Sequence, residues 1–223
     1  DDIGALSTAA VRGLTTDGIA ALTTDQVGAL NTAQVKSLST TQVAAIETDD
    51  VAAMTTSQFS VLSSAQVSAF TTDQVQAVET DDLRALTTAA VKGLSTDGVA
   101  ALTTDQAGAL TTQQVKSLST TQVAAIETDD LQALGTDQIK ALTTAQIQSL
   151  EIADVAALTA AQIGALTAVQ AAALSTAQVR AIEVADIPAV FLDEAAFRWA
   201  EDDRPFWAIL PMPPEALPAD EDE

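Results

Sequence analysis

Leu22-Thr23-Thr24-Asp25-Gln26-Val27-Gly28-Ala29-Leu30 decides the fold, because the step of eight from one leucine to the next recurs along almost the whole chain. Apolar residues stand at Leu6, Leu14, Leu22, Leu30, Leu38, Ile46, Met54, Leu62, Phe70 and Val78, and the series continues from Leu86 to Leu174, Ile182 and Val190. A second apolar series runs three residues ahead of it, from Val11, Ile19 and Val27 to Val179 and Ile187. Eight residues at about 100° each overshoot two helical turns by roughly 80°, so on one continuous helix the apolar stripe would wander around the surface. The chain must break once per octad. Thr23 followed three residues later by Gln26 supplies the break: a hydroxyl positioned for the amide of the third helical residue, and a Gln side chain able to reach back. Val27 and Leu30 then face one way from a helix of barely two turns, too short to persist unless neighbours cover it. These features predict an all-α solenoid, a superhelical coil of short helices with one helix per eight-residue repeat. The alternative is a mixed α/β coil with short Leu-Thr-Thr strands, in which Ile152 and Val184, at the second Thr position, point inward.

Seven basic residues of the array (Arg12, Lys36, Arg84, Lys92, Lys116, Lys140 and Arg180) occupy the same octad position, and several are 24 apart, which suggests three octads per superhelical turn. The residue before each Leu-type position is nearly always Ala, Gly or Ser, which predicts close backbone approach there. A longer copy overlies the octads: residues 6–53 recur as 86–133 with nine substitutions. Growth by copying blocks of ten octads suits a spacer or scaffold better than an active site, which would tie function to one place.

Composition narrows the function. Histidine, cysteine and tyrosine are absent, which removes the usual nucleophile–base pairs and zinc ligands, so neither enzyme chemistry nor a cofactor is expected. Thirty-one acidic residues against nine basic ones leave a net charge of −22, which opposes binding to nucleic acid or anionic lipid and favours a self-repelling monomer, or a segment of a longer array. Any protein partner should be cationic. The uncharged run 155–179 is long enough for a membrane span, but Gln162, Gln170 and Gln178 interrupt it, so no insertion is expected.

The stretch ALTTDQVGALNTAQVKSLSTTQVAAI, residues 21–46, resembles the octapeptide arrays of very large exported bacterial proteins of the adhesin or RTX kind. The likeness covers residues 1 to about 190 and implies a secreted or cell-surface repeat region, with a cytoplasmic protein as the alternative. It carries over no site residues, and the calcium nonapeptide Gly-Gly-x-Gly-x-Asp is absent from the chain.

Four features are candidates for function. Wherever Glu follows the Leu-type residue (Glu47, Glu79, Glu127, Glu151, Glu183), Asp stands three residues later (Asp50, Asp82, Asp130, Asp154, Asp186). These paired positions are expected to touch, as a variant helix start in which Asp accepts a backbone amide. As carboxylate pairs, Glu47 with Asp50 and Glu127 with Asp130 are also candidates for a cation such as calcium, although two carboxylates do not complete its shell of oxygens. Rows of Thr could present hydroxyls to ice or polysaccharide, or simply cap helices. Exposed Asp17, Asp25, Asp73, Asp97, Asp105 and Asp137 could imitate the phosphates of DNA toward a basic protein, or simply keep the coil soluble.

The organisation is therefore a solenoid over 1–190 and a C-terminal cap with an acidic, Pro-rich tail over 191–223. In that tail Phe206, Trp207, Ile209 and Leu210 are candidates for partner binding.

Overall fold

Each octad does form its own helix. The computed structural model describes residues 3–182, and over that span a 3-10 turn (Ile3–Ala5) precedes twenty-two α-helices, from α1 (Thr8–Arg12) to α22 (Thr176–Ala181), each four to six residues long. No strand occurs among the described residues. The Leu-Thr-Thr segments are connectors, and Ile152, which the mixed coil would turn inward, is 53% exposed. Val184, the expected C-terminal cap and tail over 191–223, and with them the four candidates Phe206, Trp207, Ile209 and Leu210, lie outside the described residues.

A single octad shows why the helices start and stop where they do. Thr111 is extended (φ −73°, ψ 155°) ahead of α14 (Thr112–Ser117). Its hydroxyl accepts the Gln114 amide at 3.2 Å, while Gln114 Oε1 accepts the Thr111 amide at 2.8 Å. Two of the four amides that a helix start leaves without partners are thereby bonded. At the far end Leu118 is extended again (φ −57°, ψ 147°), and its amide still reaches the Val115 carbonyl at 3.2 Å. The leucine therefore closes one helix and opens the connector to the next.

Both apolar series point into one continuous core. The Val/Ile series is the deeper, with Val35, Val115 and Ile139 fully buried, and the Leu series lies just outside it. Phe59 and Phe70 fill one position of each series and meet edge to face, with ring centroids 6.4 Å apart. Helices stack on the third helix along: α1 on α4 (Thr32–Ser37), and α14 on α17 (Thr136–Ala141). The small residue before each leucine lies where successive turns approach: Ser37 Oγ donates to the Thr8 carbonyl at 3.4 Å, and a Cβ on Gly93 would collide with the Ser64 carbonyl.

Three octads per turn is too few. Helices pack on the third neighbour, yet the hydrogen bonds of the buried glutamines reach back 28 and 31 residues, onto the end of the fourth helix back. One superhelical turn therefore falls between three and four octads. The 24-residue spacing of the basic residues reflects helix stacking rather than a closed turn.

Candidate functional site

The most regular polar feature of the interior is a ladder of buried glutamines. Gln34, Gln58, Gln74, Gln114 and Gln146 are each no more than 2% exposed. Burying a primary amide is costly unless all of its polar atoms find partners, and here they do. Gln114 Oε1 closes its own helix start, while Nε2 donates to the Leu83 carbonyl at 2.8 Å and the Leu86 carbonyl at 2.9 Å. These carbonyls belong to the end of α10 (Thr80–Ala85), where a helix leaves acceptors without amides of its own. One side chain thus satisfies a helix start in its own turn and a helix end in the turn before. The arrangement repeats at Gln42 with Val11 and Leu14, at Gln106 with Val75 and Val78, and at Gln170 with Ile139 and Leu142. Gly135 has no hydroxyl to offer, yet its amide still bonds Gln138 Oε1 and the Gln138 amide nitrogen still reaches Leu110.

Sequence reasoning assigned the Oε1 half of this role and missed the Nε2 half. A backbone carbonyl carries no residue identity, so the partner leaves no trace in the repeat; only the presence of Gln, where Glu would serve a capping box equally well, hinted at a second donor-dependent contact.

Where Gln becomes Asp, the ladder changes character. Asp50, Asp82, Asp130 and Asp154 are buried to the same depth as the glutamines. Among the described residues the expected variant start, with Asp accepting a backbone amide, forms only at Glu151, whose amide reaches Asp154 Oδ2 at 3.3 Å. None of Glu47, Glu79, Glu127 or Glu151 caps its helix through its side chain. The physical reason is reach: Asp is one carbon shorter than Gln, and a carboxylate has no proton for the carbonyls behind it. Asp154 also accepts the Thr128 hydroxyl at 2.8 Å, and Asp82 takes that of Thr56. The carboxylates of Asp50 and Asp130 accept no hydrogen bond from the described residues. Burial, then the charges of Glu127 and Asp129, push the Asp130 carboxyl up to about 6. Burial, then Glu47 and Asp49, raise Asp50; burial also raises Asp82, against the lowering effect of the Thr56 bond.

The outer candidates fall into files. Asp25, Asp49, Asp73 and Asp97 are exposed on α3 (Thr24–Gly28), α6 (Thr48–Ala52), α9 (Thr72–Ala77) and α12 (Thr96–Ala100), which stack in succession. Asp105 lies in a second file with Asp81 and Asp129, whereas Asp17 and Asp137 stand apart. The first Thr or Ser of most octads is a helix cap, as at Thr23, Thr71 and Thr143. Among the described residues no three acidic side chains gather as a metal site, and no helix is long and apolar enough to cross a membrane. A shallow groove of about 700 Å³ runs past Lys92 and Lys116 between Ser119, Thr121 and Thr143.

Short capped helices, one per octad, stacked into a coil and stapled turn to turn through a buried amide, define a helical superhelix-repeat protein. The ALTTAQ repeat model matches residues 1–32, 43–78, 75–112, 123–159 and 147–184, and the chain belongs to that repeat family. No curated protein matches it.

Proposed function

We propose that this chain is a non-enzymatic structural module, a spacer or scaffold within an exported bacterial protein and displayed at or beyond the cell surface. The observation that carries the reading is the form of the inter-turn bond. Each turn is fixed to the one before by a side chain of its own and by backbone carbonyls of its neighbour, so added octads extend the coil without new complementarity. Ten octads make about three turns, and at 8–10 Å between packed helices each copied block lengthens the rod by roughly 25 Å. Small-angle scattering on arrays carrying one, two or three copies of residues 6–85 tests this: maximum dimension rises by that increment per copy at constant cross-section. Growth in cross-section instead would sink the spacer.

The acidic files favour a second reading, an acidic binding protein that occupies a basic DNA-binding partner. Asp25, Asp49, Asp73 and Asp97 place like charges at helix-stacking intervals along one line, the kind of array that raises the local concentration of cations. Retention on a basic DNA-binding protein, released by competing duplex DNA and lost when the four become Asn, would support it over the spacer.

A further inference from the structure

Asp50 and Asp130 occupy the place in the octad where glutamine elsewhere donates to the turn before. By the register of the ladder, 31 and 28 residues back, Asp130 faces the carbonyls of Val99 and Leu102, and Asp50 those of Ile19 and Leu22. The Val99 and Ile19 oxygens each accept one amide, from Leu102 and Leu22. The Leu102 and Leu22 oxygens accept none, whereas Leu94 and Leu110 in the neighbouring octads accept Gln122 and Gln138 at 2.7 Å. Asp130 and Asp50 are both 4% exposed, and neither carboxylate accepts a hydrogen bond from the described residues. Carboxylate and carbonyl oxygens therefore converge with no proton between them.

We propose that each of these two places is a calcium site, formed by the Asp carboxylate, two carbonyl oxygens of the preceding turn and the Glu that opens the same octad. Three arguments select the ion. Every donor is a hard oxygen, which favours calcium over the transition metals. Removing one carbon from Gln withdraws the terminal atom by roughly 1.5 Å, leaving oxygens about 4 Å apart, too far for a shared proton and within the span of two calcium–oxygen bonds. Asp130 with Glu127, and Asp50 with Glu47, supply two carboxylates at each place. Two carbonyls and water then complete a shell that the carboxylates alone leave open. Asp82 and Asp154 differ, because a Thr hydroxyl already bonds each carboxylate. The two sites are 80 residues apart, as are their carbonyl partners, so the block copy carried the whole arrangement with it.

The test is equilibrium dialysis of the full chain against radioactive calcium in 0.1 M KCl, which suppresses diffuse binding to the acidic surface. The expected result is two saturable ions per chain, with a dissociation constant on the order of a millimolar or below. An Asp50→Gln/Asp130→Gln double variant, which restores the repeat's own residue, and an Asp50→Asn/Asp130→Asn variant, which keeps the length of Asp without its charge, both lose them. The thermal midpoint of the wild-type chain rises with calcium relative to KCl of equal ionic strength, and that of the Gln variant does not. Absence of saturable binding at 10 mM calcium (roughly ten times that constant), or retention of both ions by either double variant, overturns the proposal.

Discussion

Replacing Gln114 with Glu isolates the half of the ladder that the sequence did not reveal. Glutamate keeps the length of Gln and the oxygen that accepts the Thr111 amide at 2.8 Å, so the helix start survives. What goes is Nε2, which donates to Leu83 and Leu86 at 2.8 and 2.9 Å. A charged oxygen then faces two carbonyl oxygens at a position 2% exposed. Two lost bonds at about 1 kcal/mol each, plus the uncompensated desolvation of the carboxylate, amount to about 3 kcal/mol at neutral pH. The group evades part of that loss by protonating, because a neutral carboxyl can donate to one carbonyl. Its folded pKa must therefore rise above the unfolded value near 4.3. For a raised pKa the stability is retained below the unfolded pKa and lost as pH rises through the folded one. Urea unfolding of Gln114→Glu followed by far-UV circular dichroism, each point referred to wild type at the same pH, should show a deficit of about 3 kcal/mol at pH 7.5 that falls to about half below pH 4. A deficit under about 0.5 kcal/mol at pH 7.5 would show that the Nε2 bonds contribute nothing net, and one of equal size at both pH values would refute the charge argument.

The converse change, Asp130→Gln in calcium-free buffer, should stabilise the chain by about 2 kcal/mol at pH 7.5 by giving Val99 and Leu102 a donor, read as a higher urea midpoint. In the same buffer the raised carboxyls of Asp50, Asp82 and Asp130 make wild-type stability decline as pH rises above the unfolded value near 4, for Asp130 through about 6, and the triple Gln variant should lose that part of the slope. Gly93→Ala, whose Cβ would collide with the Ser64 carbonyl, should cost about 2–3 kcal/mol. Its copy Gly13→Ala, with nothing nearer than 3.4 Å, should be neutral or mildly stabilising in the same thermal scan. Thr111→Ala should cost about 1 kcal/mol as a lost cap, independent of pH.

What could be read from the octad was whatever the chain must do locally. The step of eight forbids a continuous helix, Thr23 with Gln26 marks where a helix restarts, and Val27 with Leu30 shows which face is buried; each argument uses residues within one repeat. The small residue before each leucine correctly announced close approach, as Gly93 against Ser64 shows. The linked change of Glu and Asp marked the right two positions, but among the described pairs the expected contact forms at Glu151 with Asp154 and not at Glu47 with Asp50. Turn number was hidden, because glutamine ties residues 28 and 31 apart while helices stack on the third neighbour, and neither distance is a multiple of the repeat.

That asymmetry between side chain and backbone also accounts for how such an array can grow. If each turn recognised its neighbour through side-chain pairs, inserting ten octads would bring mismatched partners together at the junction, and each mismatch would leave a buried polar group without its bond at a cost of about 1–3 kcal/mol. Here the upper turn brings Thr or Ser, Gln and a small residue, all within one octad, and the lower turn brings only carbonyls. Val, Leu, Ile and Ala ends are therefore equally acceptable beneath a Gln, as Gln138 above Ala107 and Gln170 above Ile139 illustrate. Any octad that starts its own helix can lie on any other. What varies along the array is then how many octads there are and which of them replace the donor, with a carboxylate as at Asp50 and Asp130 or with Ala or Gly as at Ala90 and Gly98.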